Sequence, residues 1–512
     1  MGLPTDQIAN ERRPLSQTAQ AKTPGELRLF LLGLVTVVLL YALPLVLTYV
    51  RQGKLLYAET LDDTLYETRI IDLYRGGTLG NPYLAEHQDS PRYMPELVER
   101  AFAGTSRVTG ITPLVVVAIS RVLLPTLIFV IVWILGGNLG LEPLSALLAG
   151  LLATLAHSLS LEMGALRYFR VISPVAHVFL LMTALWLVFA AWRDGSRKFA
   201  VLAGMGLGLL FYAPVYYWSF AVLGTGLLAL LAHRPARVAL LFSVVIAIAI
   251  GSFNLVRSER MAADPEVKET LARLTLMVPG RALESGALSR LLPGLGFVAM
   301  AWWFSRKSLR WAQFLFPFAV AGSFMLVQNA ITNRQIQAYH MINCLIPVWA
   351  ILAVGLFQTI MRARPVLTLA AAGVVVGVGL FVQISSFFEW QRTQAADPEE
   401  FALNTLMPQT LEWLNRHTPP GSVLLAPVTI TSSLLLFTHN RSYIAHYAFQ
   451  YVMSNRELDL RYRTALTWSP GKTLPYRADY FLGRGAACEG LPPTGVVYRN
   501  DAEGTCVFCL AP

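Results

Sequence analysis

Charge is what this chain has least of. Only 14% of its 512 residues are Asp, Glu, Lys or Arg, while 55% are hydrophobic, and the mean hydropathy is +0.51. Soluble domains carry about 25% charged residues, so this composition belongs largely in lipid. Cysteine is scarce too. Cys344 lies in an apolar run, and Cys488, Cys506 and Cys509 fall near the end. No Cys/His set has zinc-ligand spacing, because Cys506-Val507-Phe508-Cys509 has no second pair. With the tail outside the cytoplasm, a Cys488–Cys506 or a Cys488–Cys509 bridge is expected, with one thiol left over. Also missing are a serine-histidine-acid triad, a nucleotide-binding loop, a heptad seam and an internal repeat. The last absence gives inverted-repeat transporter architecture no support. Gly204-Met205-Gly206-Leu207-Gly208 has the look of a phosphate loop, but no strand precedes it. Close packing of helices is the better reading. The net charge of +10 is spread in short clusters at the ends of apolar runs, which argues for membrane topology and against nucleic acid.

Long apolar runs are abundant. The first, Leu27 to Val50, follows a polar segment with Arg12, Arg13 and Lys22. No small-residue cleavage site follows it, so a retained anchor with a cytoplasmic N-terminus is expected. Further spans are expected near 112–136, 142–159, 173–192, 199–214, 217–233, 238–256, 288–304, 311–330, 341–361 and 366–385. That makes about eleven by the criterion of ~20 apolar residues per ~30 Å of hydrocarbon. From an inside N-terminus, the inner loops Arg193–Lys198, Arg234–Arg237, Ser305–Arg310 and Arg362–Pro365 are all basic, and only the short 137–141 connection is uninformative. The stretch 199–233 fits two short helices broken at Pro214, or one long kinked helix that would invert everything after it. The outer loop at Pro265–Val278 could lie as an amphipathic helix on the membrane surface.

The expected architecture is an all-α polytopic membrane protein with a small C-terminal extracytoplasmic α/β domain. Residues 1–26 form the cytoplasmic segment, 27–385 the membrane module with a first outer loop at 51–111, and 386–512 the domain. In the tail, helices are expected at Pro408–His417, Thr431–Phe437 and Gln450–Leu466. Strands are expected at Ser422–Leu425, Ser442–Ala445, Asp479–Gly483, Val496–Arg499 and Cys506–Leu510.

The charge that the chain does have gathers between Leu61 and Arg100. Asp62-Asp63 is the sharpest signal, since a carboxylate at a membrane interface can serve as a general base or hold a divalent cation. On a helix, adjacent residues point ~100° apart. Asp63, Tyr66 and Glu67 form one face, and Asp62, Tyr66, Arg69 and Asp72 form another. A helix N-cap is an equal reading of either aspartate. Glu162 falls on the same side of the membrane. Arg167, Arg170 and Arg334 are outer-face cations, against the usual bias, and could bind phosphate as bidentate forks. His87, Tyr339 and His340 are weaker candidates. Arg121, within a span, is a functional-site hypothesis with snorkelling as its competitor.

One span followed by an acidic outer loop resembles the GT-C class of polytopic glycosyltransferases. That class includes oligosaccharyltransferase catalytic subunits, protein O-mannosyltransferases and aminoarabinose transferases. The run Asp63-Thr64-Leu65-Tyr66-Glu67-Thr68-Arg69 is similar to their Asp-x-x-aromatic-x-x-Arg run. Asp89-Ser90-Pro91-Arg92-Tyr93-Met94-Pro95 sits where oligosaccharyltransferase subunits have an aromatic-proline segment, and Glu162 where their second acidic motif falls. No Trp-Trp-Asp motif occurs in the tail, so recognition of Asn-x-Ser/Thr peptides is not implied.

The resemblance implies transfer of a sugar from a polyprenyl phosphate or diphosphate to a glycan, lipid or protein acceptor at the extracytoplasmic face, with inversion. Asp63 would act as base or metal ligand, with Asp62 as the alternative, and Asp63 with Glu162 could hold Mg or Mn. Arg334, with Arg167, Arg170 or Arg69, would neutralise the lipid phosphate. His87, Tyr66, Tyr339 and His340 would touch substrate. The setting expected is a bacterial inner membrane. A flippase or transporter of lipid-linked sugars is one rival, but it predicts charges within the spans. A non-catalytic scaffold is the other, and it predicts no concentration of acids in the first loop.

Overall fold

The computed structural model describes residues 23–53, 61–155, 170–274, 279–281, 287–334, 338–361 and 364–510. It opens with α1 (Pro24–Gln52), which begins at a capping box between Thr23 and Glu26 and ends at Gly53, whose φ of 66° only glycine adopts without strain. The first loop supplies α2 (Leu61–Tyr74) and α3 (Leu97–Thr109). The bundle continues with α4 (Pro113–Asn138), α5 (Pro143–Leu155), α6 (Val171–Asp194), α7 (Arg197–Leu210), α8 (Val215–Leu231) and α9 (Arg234–Ala262). A surface helix, α10 (Pro265–Arg273), precedes α11 (Ala287–Ser305), α12 (Arg310–Thr332), α13 (Ile342–Met361) and α14 (Pro365–Ala396).

A helix stands at each place where the sequence led us to expect a span. Among the described residues, seven helices are long and apolar enough to cross a membrane: α1, α4, α6, α9, α12, α13 and α14. That makes the chain an integral membrane protein. The remaining bundle helices, α5, α7, α8 and α11, are apolar but shorter in their described parts. In the disputed 199–233 stretch, α7 and α8 are two helices separated at Phe211–Pro214. The glycines of α7 do pack helices. A Cβ on Gly204 would meet Ile246 at 2.6 Å, and one on Gly208 would meet Ile250 at 2.8 Å, both on α9. The last helix runs on past Ser385 to Ala396. Its polar end is held to α1 by Arg51 donating to Gln391 (2.6 Å) and Gln52 to Gln394 (3.2 Å).

The C-terminal domain holds α15 (Pro408–His417), α16 (Val428–Phe437) and α17 (Asn455–Thr467). Its strands are β1 (Val423–Leu425), β2 (Arg441–Ser442), β3 (Tyr480–Arg484), β4 (Val496–Asn500) and β5 (Thr505–Cys509). They lie in the order β2-β1-β3-β5-β4, with β1 parallel to β2 and β3, and β5 antiparallel to β3 and β4. Helix α17 starts at Asn455 rather than Gln450, because Ser454 caps it by accepting from the Glu457 N–H. The disulfide joins Cys488 to Cys506, at a Cα separation of 5.7 Å. Strand alternation puts Cys509, three residues on, on the opposite face from Cys506.

The first loop and this domain share one core. Leu65, Tyr83 and Leu84 pack with Val423, Leu425, Tyr443 and Tyr447, and the Ser442 N–H donates to the Tyr83 carbonyl at 2.8 Å. Arg441 reaches Asp72 at 2.7 Å, where the carboxylate is fully buried. The first loop also anchors in the bundle, through Arg121 and Glu67 at 3.1 Å, each 1% exposed.

Candidate active site

Helix α2 fixes the site by its phase. Asp62 and Tyr66 lie one turn apart and line a cavity of about 740 Å³. Asp63 is 2% exposed and is not among the lining residues, and Glu67 of the same face turns to Arg121. The cavity lies where bundle, first loop and domain meet. Phe211, Tyr216 and Trp218 from the α7–α8 turn and α8 form an aromatic wall. Asn254, Arg257 and Ser258 come from the end of α9, Arg92 to Leu97 and Arg100 from the first loop, and Gln450 from the domain. Phe211 stacks on Trp218 with centroids 4.5 Å apart. His340 stacks on Tyr216 at 5.4 Å and also faces the cavity.

Arg170 meets Asp62 at 2.6 Å. Burial alone would lower the Arg170 guanidinium, but the Asp62 carboxylate and then Tyr66 raise it, so it stays charged. Its Nε is buried without a hydrogen-bond partner. Burial raises the Tyr66 phenol, with Arg170 opposing, so Tyr66 is a neutral donor at pH 7. At a second place on the wall, three arginines surround Glu96. Arg100 Nε donates to it at 2.7 Å and Arg257 at 3.0 Å, and Arg92 stands 3.8 Å away. Burial alone would raise the Glu96 carboxyl, but hydrogen bonds from Arg257 and Arg100 hold it below the usual range.

Of the residues singled out from the sequence, the cavity brings together Asp62, Tyr66, Arg170 and His340. Arg69 is elsewhere, 2% exposed, bonded to Glu99 at 2.8 Å and to the Pro95 carbonyl at 2.7 Å. His87 ties the first loop to the domain through Glu457 at 2.9 Å and bonds Ser90 at 3.1 Å. The side chain of Arg334 is exposed, and its carbonyl accepts from Gln328 at 2.9 Å. Glu162, Arg167 and the Tyr339 side chain lie outside the described residues.

Sequence reasoning passed over Arg92, Glu96, Arg100 and Arg257. Two signals were there: the four-residue spacing of 92, 96 and 100, and an outer-face cation at 257, the criterion that picked out Arg170. Of the pair expected to hold a divalent metal, Asp63 is buried and Glu162 lies outside the described residues. Asp62 is already countered by Arg170, and among the described residues no group of three His, Cys, Asp or Glu converges.

No family model matches the chain, and no curated protein matches it. Among solved structures it is similar to the crystal structure of the Archaeoglobus fulgidus oligosaccharyltransferase in the apo form. That likeness covers 91% of this chain and 70% of that one, at 12% identity and a TM-score of 0.48, and it assigns no role to any residue.

Proposed function

We propose that the chain is a membrane glycosyltransferase that moves a sugar from a polyprenyl-phosphate-linked donor to an acceptor hydroxyl inside this cavity. The observation that carries the reading is the Asp62–Arg170 pair, with Tyr66 beside it, on an otherwise largely aromatic and apolar wall. An apolar pocket with a few convergent polar groups is the usual form of a small-molecule site. The acceptor is a hydroxyl group of a glycan, lipid or protein.

Chemically, the acceptor oxygen attacks the anomeric carbon as its proton passes to Asp62. The bond from that carbon to the phosphate oxygen breaks, and the electron pair leaves with the phosphate. Asp62 loses its negative charge in this step, which leaves the Arg170 charge uncompensated as the leaving phosphate gains charge. Stabilisation that grows in the transition state is what accelerates a reaction. Tyr66 and His340 would orient the sugar. The step draws on Asp62, Tyr66 and Arg170 alone; exhaustive chelation of the wild-type protein leaves transfer unchanged if this base works by itself, and abolishes it if Asp63 and Glu162 hold a divalent metal that the reaction needs. We place the reaction at the extracytoplasmic face of a bacterial inner membrane, on the charge pattern of the loops.

Asp62→Asn should lower transfer ~10²- to 10⁴-fold, the usual contribution of a positioned base. Expression and membrane insertion should be unchanged. Wild-type transfer by Asp62→Asn in cells, read by mass spectrometry of glycans and lipid-linked sugars, would rule out this mechanism. Asp63→Asn, measured alongside, tells a base at 62 from one at 63.

A further inference from the structure

The cavity carries more positive charge than the transfer step uses. Among its described lining residues, Arg92, Arg100, Arg170 and Arg257 face only Asp62 and Glu96, a surplus of two positive charges. The surplus is not spread evenly. Arg170 and Asp62 cancel one for one at 2.6 Å, so both excess charges belong to the group around Glu96.

Glu96 is 8% exposed, whereas Arg92, Arg100 and Arg257 are 34%, 51% and 35% exposed. The carboxylate therefore gathers three guanidinium groups from below, and they remain open to the cavity. Each guanidinium has five N–H donors. Arg257 spends one nitrogen on Glu96 and on the Arg92 carbonyl, and Arg100 turns two towards Glu96, so most of the fork is unspent. Three guanidinium groups around one carboxylate leave two positive charges without a partner, and an anion in the cavity would complete the group through charge-assisted hydrogen bonds.

We propose that Arg92, Arg100 and Arg257 form a subsite for a diphosphate, and that the donor is therefore a diphosphate-linked rather than a monophosphate-linked sugar. This rests on the transferase reading above and names its substrate class. A sugar joined to a lipid through diphosphate carries two negative charges at neutral pH, and one joined through a single phosphate carries one. The surplus of two matches the first. A diphosphate also presents several oxygens along its length, which suits three guanidinium groups from two separate elements. A lone phosphodiester would leave one excess charge standing. Arg92 and Arg100 bracket Glu96 at the start of α3, and Arg257 comes from α9, so the first loop and the bundle must be docked before the subsite exists.

The test uses the purified full-length chain and two matched diesters, P1-farnesyl P2-methyl diphosphate and farnesyl methyl phosphate. These differ by one phosphate and one charge. The diphosphate should bind about tenfold or more tightly than the monophosphate at low salt, the size expected for added charge-assisted hydrogen bonds. The preference should shrink as salt rises. It should vanish in the Arg100→Gln, Arg257→Gln double variant and persist in Arg257→Lys, which keeps the charge. Equal binding of the two probes by the wild type, or a preference that survives the double variant, overturns the proposal. Because the wild type and Arg257→Lys carry the comparison, poor folding of the double variant does not remove the test. If the probes bind equally while Asp62→Asn still blocks transfer, the diphosphate assignment falls and the transferase reading stands. If the preference holds but Asp62→Asn transfers normally, the reverse is true.

Discussion

Buried charges in this protein act as fasteners more than as chemistry. Asp72 is fully buried and held by Arg441 across the boundary between first loop and domain, with further support from the Leu79 N–H at 3.3 Å. Removing one partner of a buried pair strands the other, at a cost of about 3–5 kcal/mol. Arg441→Ala should therefore lower the unfolding midpoint of the purified protein sharply. Asp72→Asn combined with Arg441→Met should recover much of the loss, since an apolar-sized replacement no longer strands a charge. Arg69 and Arg121 follow the same logic, each sealed against a glutamate. Arg69 and Arg121 looked like candidates for function in the sequence, because spacing reveals which residues are charged but not whether a partner from far along the chain meets them. The same limit applies to Asp62 and Asp63. Their adjacency is legible, but the choice between them depends on the rotation of α2, which the packing of Leu65 and Glu67 sets.

Elements were more legible than residues. The apolar runs predicted each bundle helix, and Pro408–His417 appears with the expected bounds, because length and periodicity are local properties. Glycine spacing also carried information, since Gly204 and Gly208 mark the face of α7 that meets α9. Gly251 of α9 does the same job nearer the site: a Cβ there would meet the Phe211 ring at 2.3 Å. Gly251→Ala should push Phe211 off its stack on Trp218 and disturb the cavity wall. Overpacking of this kind costs about 1–3 kcal/mol. Binding of the farnesyl probes and transfer should fall several-fold while membrane insertion stays normal. Element ends were less legible. The apolar character of α14 stops near Ser385, yet the helix continues to Ala396 because α1 supplies partners for its polar turns.

At the scale of the whole molecule, bundle and domain are joined through the first loop and through the short link after α14. Glu400 sits in that link. Its carboxyl is pushed from an ordinary 4.5 up to about 7 by burial and, secondarily, by Asp397. The folded chain thus holds a proton that the unfolded chain has released. Its contribution is complete below about pH 4.5 and is lost as pH rises through about 7. Wild type should lose stability across that window relative to Glu400→Gln, and the variant should unfold at the higher temperature at pH 8. Thermal unfolding of both across the range checks this.

The sequence by itself determined that the chain lives in a membrane, where its helices fall, and that an acidic first loop is followed by a mixed helix-and-strand tail. These follow from local hydrophobicity and periodicity, which every window of the chain reports. Tertiary structure decided the rest. It paired Cys488 with Cys506 through strand alternation, gave Tyr83 to the core of a domain more than 300 residues away, and turned Asp62 rather than Asp63 to the cavity. It also gathered Arg92, Arg100 and Arg257 on one carboxylate. These outcomes depend on how elements dock and rotate against one another, which the local pattern of a single window does not report.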